Sequence, residues 1–413
     1  MNEKRLNELI EIYQDFHRTP ELSLQEERTS AKFAGHLKKF PGVEVQSKIG
    51  GLRSRRHAEE RPRQNALAEG RSGRLPITEQ TGLPYASQVK VKDAEGNEVG
   101  AMHACGHDIH MTNLLGVARY LAGHKDTWKG TILFVGQPAE ERGSGAKKMI
   151  DDNLFSRFGR PDLAVALHVD STLAAGRVGC RSGYSLANVD SVDITLQGRG
   201  GHGAYPHTTV DPIVQAAHLI LDLQTIVSRE MNPIDPAVVT VGSIHAGSKH
   251  NIISANCKLQ LTVRSYSDQS RKHILEAIQR KAKAVAMSFR AAEPTITVSE
   301  GTPALFNNHA LVEKLIPVFE KTLGKDHVVI SDQSMGGEDF SEFGVAGIPI
   351  CMYRLGSIKA DRLETLKSGG KPPPSLHSPN YYPDAPETLK TGIISMVAVV
   401  QNLLPPAPKT ASK

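Results

Sequence analysis

The segment His103-Ala104-Cys105-Gly106-His107-Asp108-Ile109-His110 sets three imidazoles, a thiol and a carboxylate within eight residues. Imidazole nitrogen, thiolate sulfur and carboxylate oxygen are the donors that hold divalent cations of the zinc or manganese type. Cys105 and His107 stand two apart on a loop that enters a helix, where both the helix N-terminus and a cation favour the thiolate. An isolated pair of this kind is more often structural than ligating. Further donors follow: Glu140 and Glu141 after Gln137-Pro138-Ala139, His168 at the end of an apolar run, and His377 in Ser375-Leu376-His377-Ser378-Pro379. The plainer reading makes Glu140-Glu141 a solvated helix start and His168 a satisfied core side chain. The joint pattern favours a metal site, and with it a hydrolase that uses bound metal to split an amide bond.

Such side chains need a scaffold. Leu6, Leu9, Ile10, Tyr13 and Phe16 recur at helical spacing, which predicts a helix over 4–18. A second helix is expected from Ser23 through Phe33, with Glu26 and Glu27 in its first turn. A third is expected over 111–123, just after the His/Cys cluster. The apolar runs 130–136 and 162–168 read as buried strands that deliver Glu140-Glu141 and His168 at their ends. Strands alternating with helices, with polar residues at strand ends, predict an α/β sheet with its site at the carboxyl edge. Near residue 185 the pattern changes. Alternating strands at 189–196, 237–244, 257–266 and 295–299, with helices at 211–228 and 268–287, predict an α+β insertion with one solvated sheet face. The α/β pattern returns with a helix over 309–323, a strand over 347–352 and a final helix over 385–404. The expected domains are therefore a discontinuous metal-binding domain, 1–184 with 300–413, and an inserted domain, 185–299.

At 413 residues the chain exceeds one ordinary core. Aromatic content of 5% with a single Trp gives no stacking platform for single-stranded nucleic acid. The N-terminus is charged and amphipathic without an apolar signal core, and no run reaches membrane-spanning length, so no membrane role and a cytoplasmic location are expected. The four cysteines are scattered without CxxC spacing, which argues against a disulfide framework; Cys180, Cys257 and Cys351 read as small buried apolar residues. Seven Arg against three Glu in residues 51–74 supply +4 of the net charge of +5, so the rest of the chain carries no basic face for nucleic acid.

The combination of motifs resembles the M20-family metallopeptidases, specifically the amidohydrolase branch of hippurate hydrolases, N-acyl-amino-acid amidohydrolases, indole-acetyl-amino-acid hydrolases and N-acetyl-diaminopimelate deacetylases. The markers are His17-Arg18-Thr19-Pro20-Glu21-Leu22-Ser23, Leu75-Pro76-Ile77-Thr78-Glu79-Gln80-Thr81-Gly82, Met102 to Asp108, Gln137 to Glu141, Gly201-His202-Gly203 with Pro206-His207, Gly336-Gly337-Glu338-Asp339-Phe340 and Leu376 to Pro379. The resemblance implies a zinc-peptidase-like catalytic domain, with a mixed central sheet flanked by helices, and an inserted α+β lid and dimerisation domain. It implies two divalent metal ions (Mn, Zn, Co or Ni) held by Cys105, His107, Glu141, His168 and His377, with Cys105 bridging. Glu140 is then the general base for a water held by the metals, and His202 stabilises the oxyanion. Asn251 and Arg264 are candidates for the substrate carboxylate; Arg264 equally reads as a surface residue on an alternating strand. Asp108 and Glu338 are candidates for orienting the ligands, and Asp108 equally reads as a helix N-cap. The implied reaction is hydrolysis of small N-acyl amino acids, hippurate-like or N-acetylated, by a homo-oligomer formed through the lid. A dipeptidase or carboxypeptidase of the same superfamily is the alternative, as is a metal-binding homologue impaired in turnover.

That last alternative comes from Gly51 to Arg74. This Arg-rich segment lacks Val, Ile, Phe and Tyr and shows no strand periodicity. Family members carry two strands here, the second running into an Arg-Ala-Asp-x-Asp-x-Leu-Pro motif of which only Leu75-Pro76 remains; Ser72 and Gly73 stand about where the Asp should be. Permitted codons read one nucleotide out of step give a strand, an Asn-Gly-Pro-Gly turn, a second strand and an Arg-Ala-Asp-Leu-Asp motif. Two compensating frameshifts bounding the segment would account for this, a genuine Arg-rich surface loop is the alternative, and resequencing the gene decides between them. A chain made as written is expected to lose both strands and to place an irregular excursion beside the metals, because burying so many charges carries a large desolvation cost.

Overall fold

The apolar stripe of Leu9, Tyr13 and Phe16 folds as helix α1 (Glu3–Arg18), capped by Asn2, whose side chain accepts the Arg5 N–H. The computed structural model describes residues 2–47, 49, 65–71, 75–92 and 96–406, with the backbone alone at 65–71 and 300. Helix α2 (Glu27–Leu37) begins later than the sequence predicts, because Leu24 turns through the left-handed region (φ 69°) ahead of it. Helix α3 (His107–Gly123) begins earlier than expected, so that His107, Asp108 and His110 fall inside its first turns. Those residues are polar, and an apolar periodicity could not reveal them. Nearly all of α3 is buried. At Gly116 an added Cβ would lie 2.3 Å from Ile393, so this glycine lets the terminal helix Ala385–Leu403 approach closely.

The chain divides into two compact units. The first comprises Met1–Gly183, Phe306–Asp332 and Glu342–Lys413. It is an α/β unit built on a six-stranded sheet, in the order Val328–Ile330, Val178–Cys180, Ile350–Ile358, Leu163–Ala174, Asn65–Arg71, Thr131–Gln137. The sheet is mixed: Ile350–Ile358 runs antiparallel to Val178–Cys180, and the other neighbours pair in parallel. Its core joins Val165, Leu167, Cys351 and Tyr353 from the strands to Leu9, Val117, Phe319, Ile393 and Val397 from the helices. Cys180, Cys257 and Cys351 are buried and unoxidised, as expected.

The expectation for the Arg-rich segment is overturned in part. Its backbone from Asn65 to Arg71 forms a strand, β1, parallel between Thr131–Gln137 and Leu163–Ala174, with Ala66 opposite both Ile132 and Leu163. A sheet ladder is made by main-chain N–H and C=O groups, which any proline-free stretch offers. Asn65–Arg71 contains no proline, whereas Pro62 lies just upstream. Residues 51–64 and 72–74, and with them the frameshift reading and the position of the missing Asp, lie outside the described residues.

The second unit comprises Tyr184–Leu305 and Gln333–Ser341. The second of these segments was expected in the metal-binding domain, and it carries Glu338. Four antiparallel strands stand in the order Val238–His245, Asn256–Ser265, Asn188–Gln197, Thr295–Thr302. Strict alternation of burial along Asn188–Gln197 gives the sheet one dry and one wetter face. Helices Pro212–Thr225 and Asp268–Ser288 cover the dry face, packing Leu219, Leu223, Ile274 and Ile278 on Val192, Ile194, Leu259 and Leu261. Asp211 and Ser267 cap these helices through N–H groups of Ile213 and Ser270. The first of them stops at Thr225, short of the predicted 228, and passes into one π-helical turn, Ile226–Glu230. Among the described residues no helix is long and apolar enough to cross a membrane.

Candidate metal centre

Four chain segments of the first unit bring their donors together. The first turns at Gly106 (φ 70°), the N-cap of α3. A Cβ there would meet Val169 Cγ2 at 2.6 Å, so both the backbone angle and the space require glycine. Cys105 and His107 on either side are buried. The second segment leaves strand Thr131–Gln137 and turns at Ala139, a left-handed non-glycine residue (φ 51°), into the short helical turn Glu140–Arg142. The third is the strand Leu163–Ala174. His168 lies within this strand and not at its end, because pairing with Ile350–Ile358 continues past Arg354↔His168 to Gly356↔Asp170. The fourth is the loop at His377 (φ 69°), whose N–H donates to the Ala104 carbonyl at 2.8 Å and so docks on the Cys105 loop.

The donor atoms converge. Cys105 Sγ is 3.5 Å from His168 Nε2. His107 Nε2 is 3.2 Å from Glu140 and 3.9 Å from Glu141, and His377 Nε2 is 3.3 Å from the other oxygen of Glu141. Three sets of donors each lie within 4.8 Å of one another: Cys105, His107 and His168; Cys105, Glu141 and His377; His107, Glu140 and Glu141. Cys105 is common to the first two sets, and Glu141 to the last two.

The hydrogen bonds around the site fix which nitrogen can ligate. His168 Nδ1 donates to the Val169 carbonyl at 2.8 Å, which leaves the Nε2 lone pair aimed at Cys105. His110, edge-on to His168 with ring centres 4.7 Å apart, accepts the Val169 N–H at Nε2 (3.0 Å) and pins the same strand. Desolvation lowers the pKa of His377 against the pull of Glu140, with repulsion between it and His107 adding to the depression, which favours the neutral, ligating form. A divalent cation fits this set. One thiol, three imidazoles and two adjacent carboxylates are soft and hard donors in the mixture that zinc- or manganese-type ions accept, and two carboxylates sharing one imidazole repel unless positive charge lies between them.

Behind the donors stands Asp108, held by two residues that sequence reasoning did not single out, His17 and Glu79. Asp108 does not cap α3; Gly106 holds that position. Asp108 Oδ1 accepts the Ile109 N–H, and Oδ2 faces His17 Nδ1 at 2.7 Å. His17 Nε2 meets Glu79 at 3.1 Å. Burial alone would depress the His17 pKa, yet the bonds to Asp108 and then Glu79 raise it to about 9. His17 and Glu79 lie in motifs that were noticed, but their partners are 91 and 62 positions away, beyond any local signal.

The remaining candidates belong to the second unit. His202 is exposed, and its Nδ1 accepts the Ala204 N–H at 3.1 Å. It sits opposite Ile252 on a two-residue strand pair, and the neighbouring Gly203 N–H donates to the Asn251 carbonyl, so His202 and Asn251 are brought together. Arg264, half-buried on Asn256–Ser265, donates from Nη1 to the Met335 carbonyl at 2.6 Å, which removes the free-surface alternative. Glu338 is buried, and its carboxylate accepts the Phe340 N–H.

Residues 74–401 match the model of peptidase family M20/M25/M40. The chain is 35% identical over 356 residues to the N-acetyldiaminopimelate deacetylase of Bacillus subtilis, covering 86% of this chain and 91% of that one. A second N-acetyldiaminopimelate deacetylase, from Halalkalibacterium halodurans, is 35% identical over 352 residues, covering 84% and 90%. Among solved structures, the Bacillus subtilis YXEP protein, described as a dinuclear metal binding peptidase from the M20 family, superposes with a TM-score of 0.76 at 25% identity, covering 98% of this chain and 99% of that one.

Proposed function

Because the chain belongs to peptidase family M20/M25/M40 and is a hydrolase of that family, we propose that it is a metal-dependent amidohydrolase that removes the acyl group from small N-acyl amino acids, N-acetylated ones first among them. The observation that carries this reading is the convergence of Cys105, His107, Glu141, His168 and His377 with Glu140 beside them. Relatives at 35% identity named as N-acetyldiaminopimelate deacetylases support the N-acetyl class over hippurate-like substrates.

Cys105, His107, Glu141, His168 and His377 would hold two divalent cations of the Mn, Zn, Co or Ni kind, Cys105 being common to two of the donor sets. Such cations polarise the scissile carbonyl and acidify water. Glu141 reaches both His107 and His377, as a ligand should; Glu140 lies beside His107 and would be left for proton transfer. Glu140 takes a proton from the attacking water as the carbon–oxygen bond forms, and returns it to the amide nitrogen as the carbon–nitrogen bond breaks, so that a carboxylate and an amine leave. His202 is suited to the oxyanion: with Nδ1 accepting a backbone N–H, its proton resides on Nε2, an outward donor. Arg264, with guanidinium N–H groups beyond its bond to Met335, and Asn251 would receive the substrate carboxylate. Glu338 and Asp108 would order the surroundings.

Exposed Ile213, Val214 and Leu221 on Pro212–Thr225 support a homo-oligomer formed through the second unit. Cytoplasmic residence belongs to the same proposal. The test is hydrolysis of a panel of N-acetyl, N-benzoyl and peptide substrates by the chain loaded with each metal in turn. Turnover of N-acetyl amino acids that stops on chelation is expected; tight metal binding with no hydrolysis of any member would overturn the reading.

A further inference from the structure

We infer that His17 and Glu26 are positioning residues for the metal centre, His17 fixing the first turn of α3 through Asp108 and Glu26 fixing the Glu140 turn through Ala139. The inference rests on the reading of Cys105, His107, Glu140 and Glu141 given above. Both residues precede residue 74, where the match to the family model starts.

His17 is 1% exposed and lies between two groups that only accept hydrogen bonds, Asp108 at Nδ1 (2.7 Å) and Glu79 at Nε2 (3.1 Å). A neutral imidazole donates from one nitrogen only, so this geometry calls for the doubly protonated ring. Each carboxylate is tied further. Asp108 accepts the Ile109 N–H at 2.8 Å; Glu79 accepts the Ser87 N–H at 2.7 Å and the Thr81 hydroxyl. Tyr85 and Tyr13 pack against the His17 ring at 5.4 and 5.7 Å, with His103 at 6.5 Å. The held residue, Asp108, directly follows His107. Its carboxylate is spent on His17 and its own helix, so its effect on the site passes through the placement of that turn.

Glu26 performs the matching task on the second loop. It is 5% exposed, and Oε1 accepts the Ala139 N–H at 2.8 Å. Ala139 occupies the left-handed conformation that L-residues rarely adopt, one residue before Glu140. Between His17 and Glu26, Glu21 accepts N–H groups of Arg28 and Thr29 with its two oxygens, fastening the connection to α2. One ten-residue stretch therefore grips both loops that supply the carboxylates, the thiol and His107.

The test compares His17→Ala, Glu26→Ala and Glu26→Gln with the wild-type chain at full length. Zinc and manganese affinities are measured by chelator competition, the cobalt form by its visible spectrum, and the metal-free proteins by thermal unfolding. Loss of groups that orient ligands typically weakens metal affinity by about 10–100-fold. His17→Ala and Glu26→Ala are expected to do so, to alter the cobalt spectrum, and to lower kcat with KM little changed. Glu26→Gln retains an acceptor oxygen for the Ala139 N–H and is expected to recover most of the loss. If both alanine variants bind metal and give cobalt spectra as the wild type does, and only melt earlier, the residues merely support the fold and the inference is wrong. Should His17→Ala fail to fold, the Glu26 pair decides by the same readouts. A wild-type chain that binds metal but hydrolyses no N-acyl amino acid sinks the functional reading and leaves this one standing.

Discussion

His17 and His168 are both buried imidazoles of the first unit, and their ring nitrogens meet different partners. His17 faces a carboxylate at each ring nitrogen and is kept charged. His168 faces a backbone carbonyl at Nδ1 and a thiol at Nε2, which suits the neutral ring with an open lone pair. The residue type is the same and burial is similar, at 1% and 5% exposed. What separates an internal cation from a ligand is the charge of the acceptor on the second nitrogen: a carboxylate stabilises a second proton, and a neutral carbonyl orients the first without demanding another. A buried histidine thus reports its role through its partners before any ion is considered.

Substitutions on the His168 side should have the largest effect. Cys105→Ala removes a donor common to two sets. It should cost more than the roughly 100-fold in metal affinity that bounds the loss of orienting groups, and hydrolysis should fall with it; metal analysis after dialysis checks this. Retention of two ions per chain would mean that the donor sets are misassigned.

On the His17 side the effect should appear as pH-dependent stability. Its pKa in the folded chain, about 9, lies above the ordinary 6.5. The stabilisation from its partners is therefore complete below pH 6.5 and is lost as pH rises through about 9. The shift corresponds to roughly 3 kcal/mol. Denaturant unfolding of the metal-free wild type and His17→Gln should show a gap at pH 6 that narrows above pH 9. A gap independent of pH would show that the ring is not charged and would remove the contrast with His168.

A smaller effect should come from the hinge between the two. Gly106→Ala forces a Cβ into a left-handed turn and onto Val169. The cost should be about 1–3 kcal/mol, read by thermal unfolding, with metal affinity reduced less than by Cys105→Ala. A neutral substitution would mean that the Cys105–His107 loop is loose and that its geometry is not pre-set.

The side chains that converge at the candidate centre were legible in sequence because thiol, imidazole and paired carboxylates seldom recur together by chance, although His168 lies within its strand and not at the expected end. Apolar runs likewise marked the strands 131–137 and 350–358 and the helix His309–Leu323. Three features escaped for physical reasons. The start of α3 was hidden because its first turn is polar. Strand β1 was hidden because its side chains carry no strand pattern and its ladder is made by the main chain alone. The contacts from His17 and Glu26 were hidden because they span 91 and 113 positions, and only the folded chain brings them to the site.

The proposed function turns on a division of labour between two adjacent carboxylates, Glu141 holding metal and Glu140 moving a proton. Glu140→Gln tests it most directly, by metal analysis and hydrolysis of N-acetyl amino acids on the same preparation. Wild-type metal content is expected, with kcat reduced by about 10²–10⁴-fold. Undiminished turnover, or loss of the metal together with the activity, would contradict it.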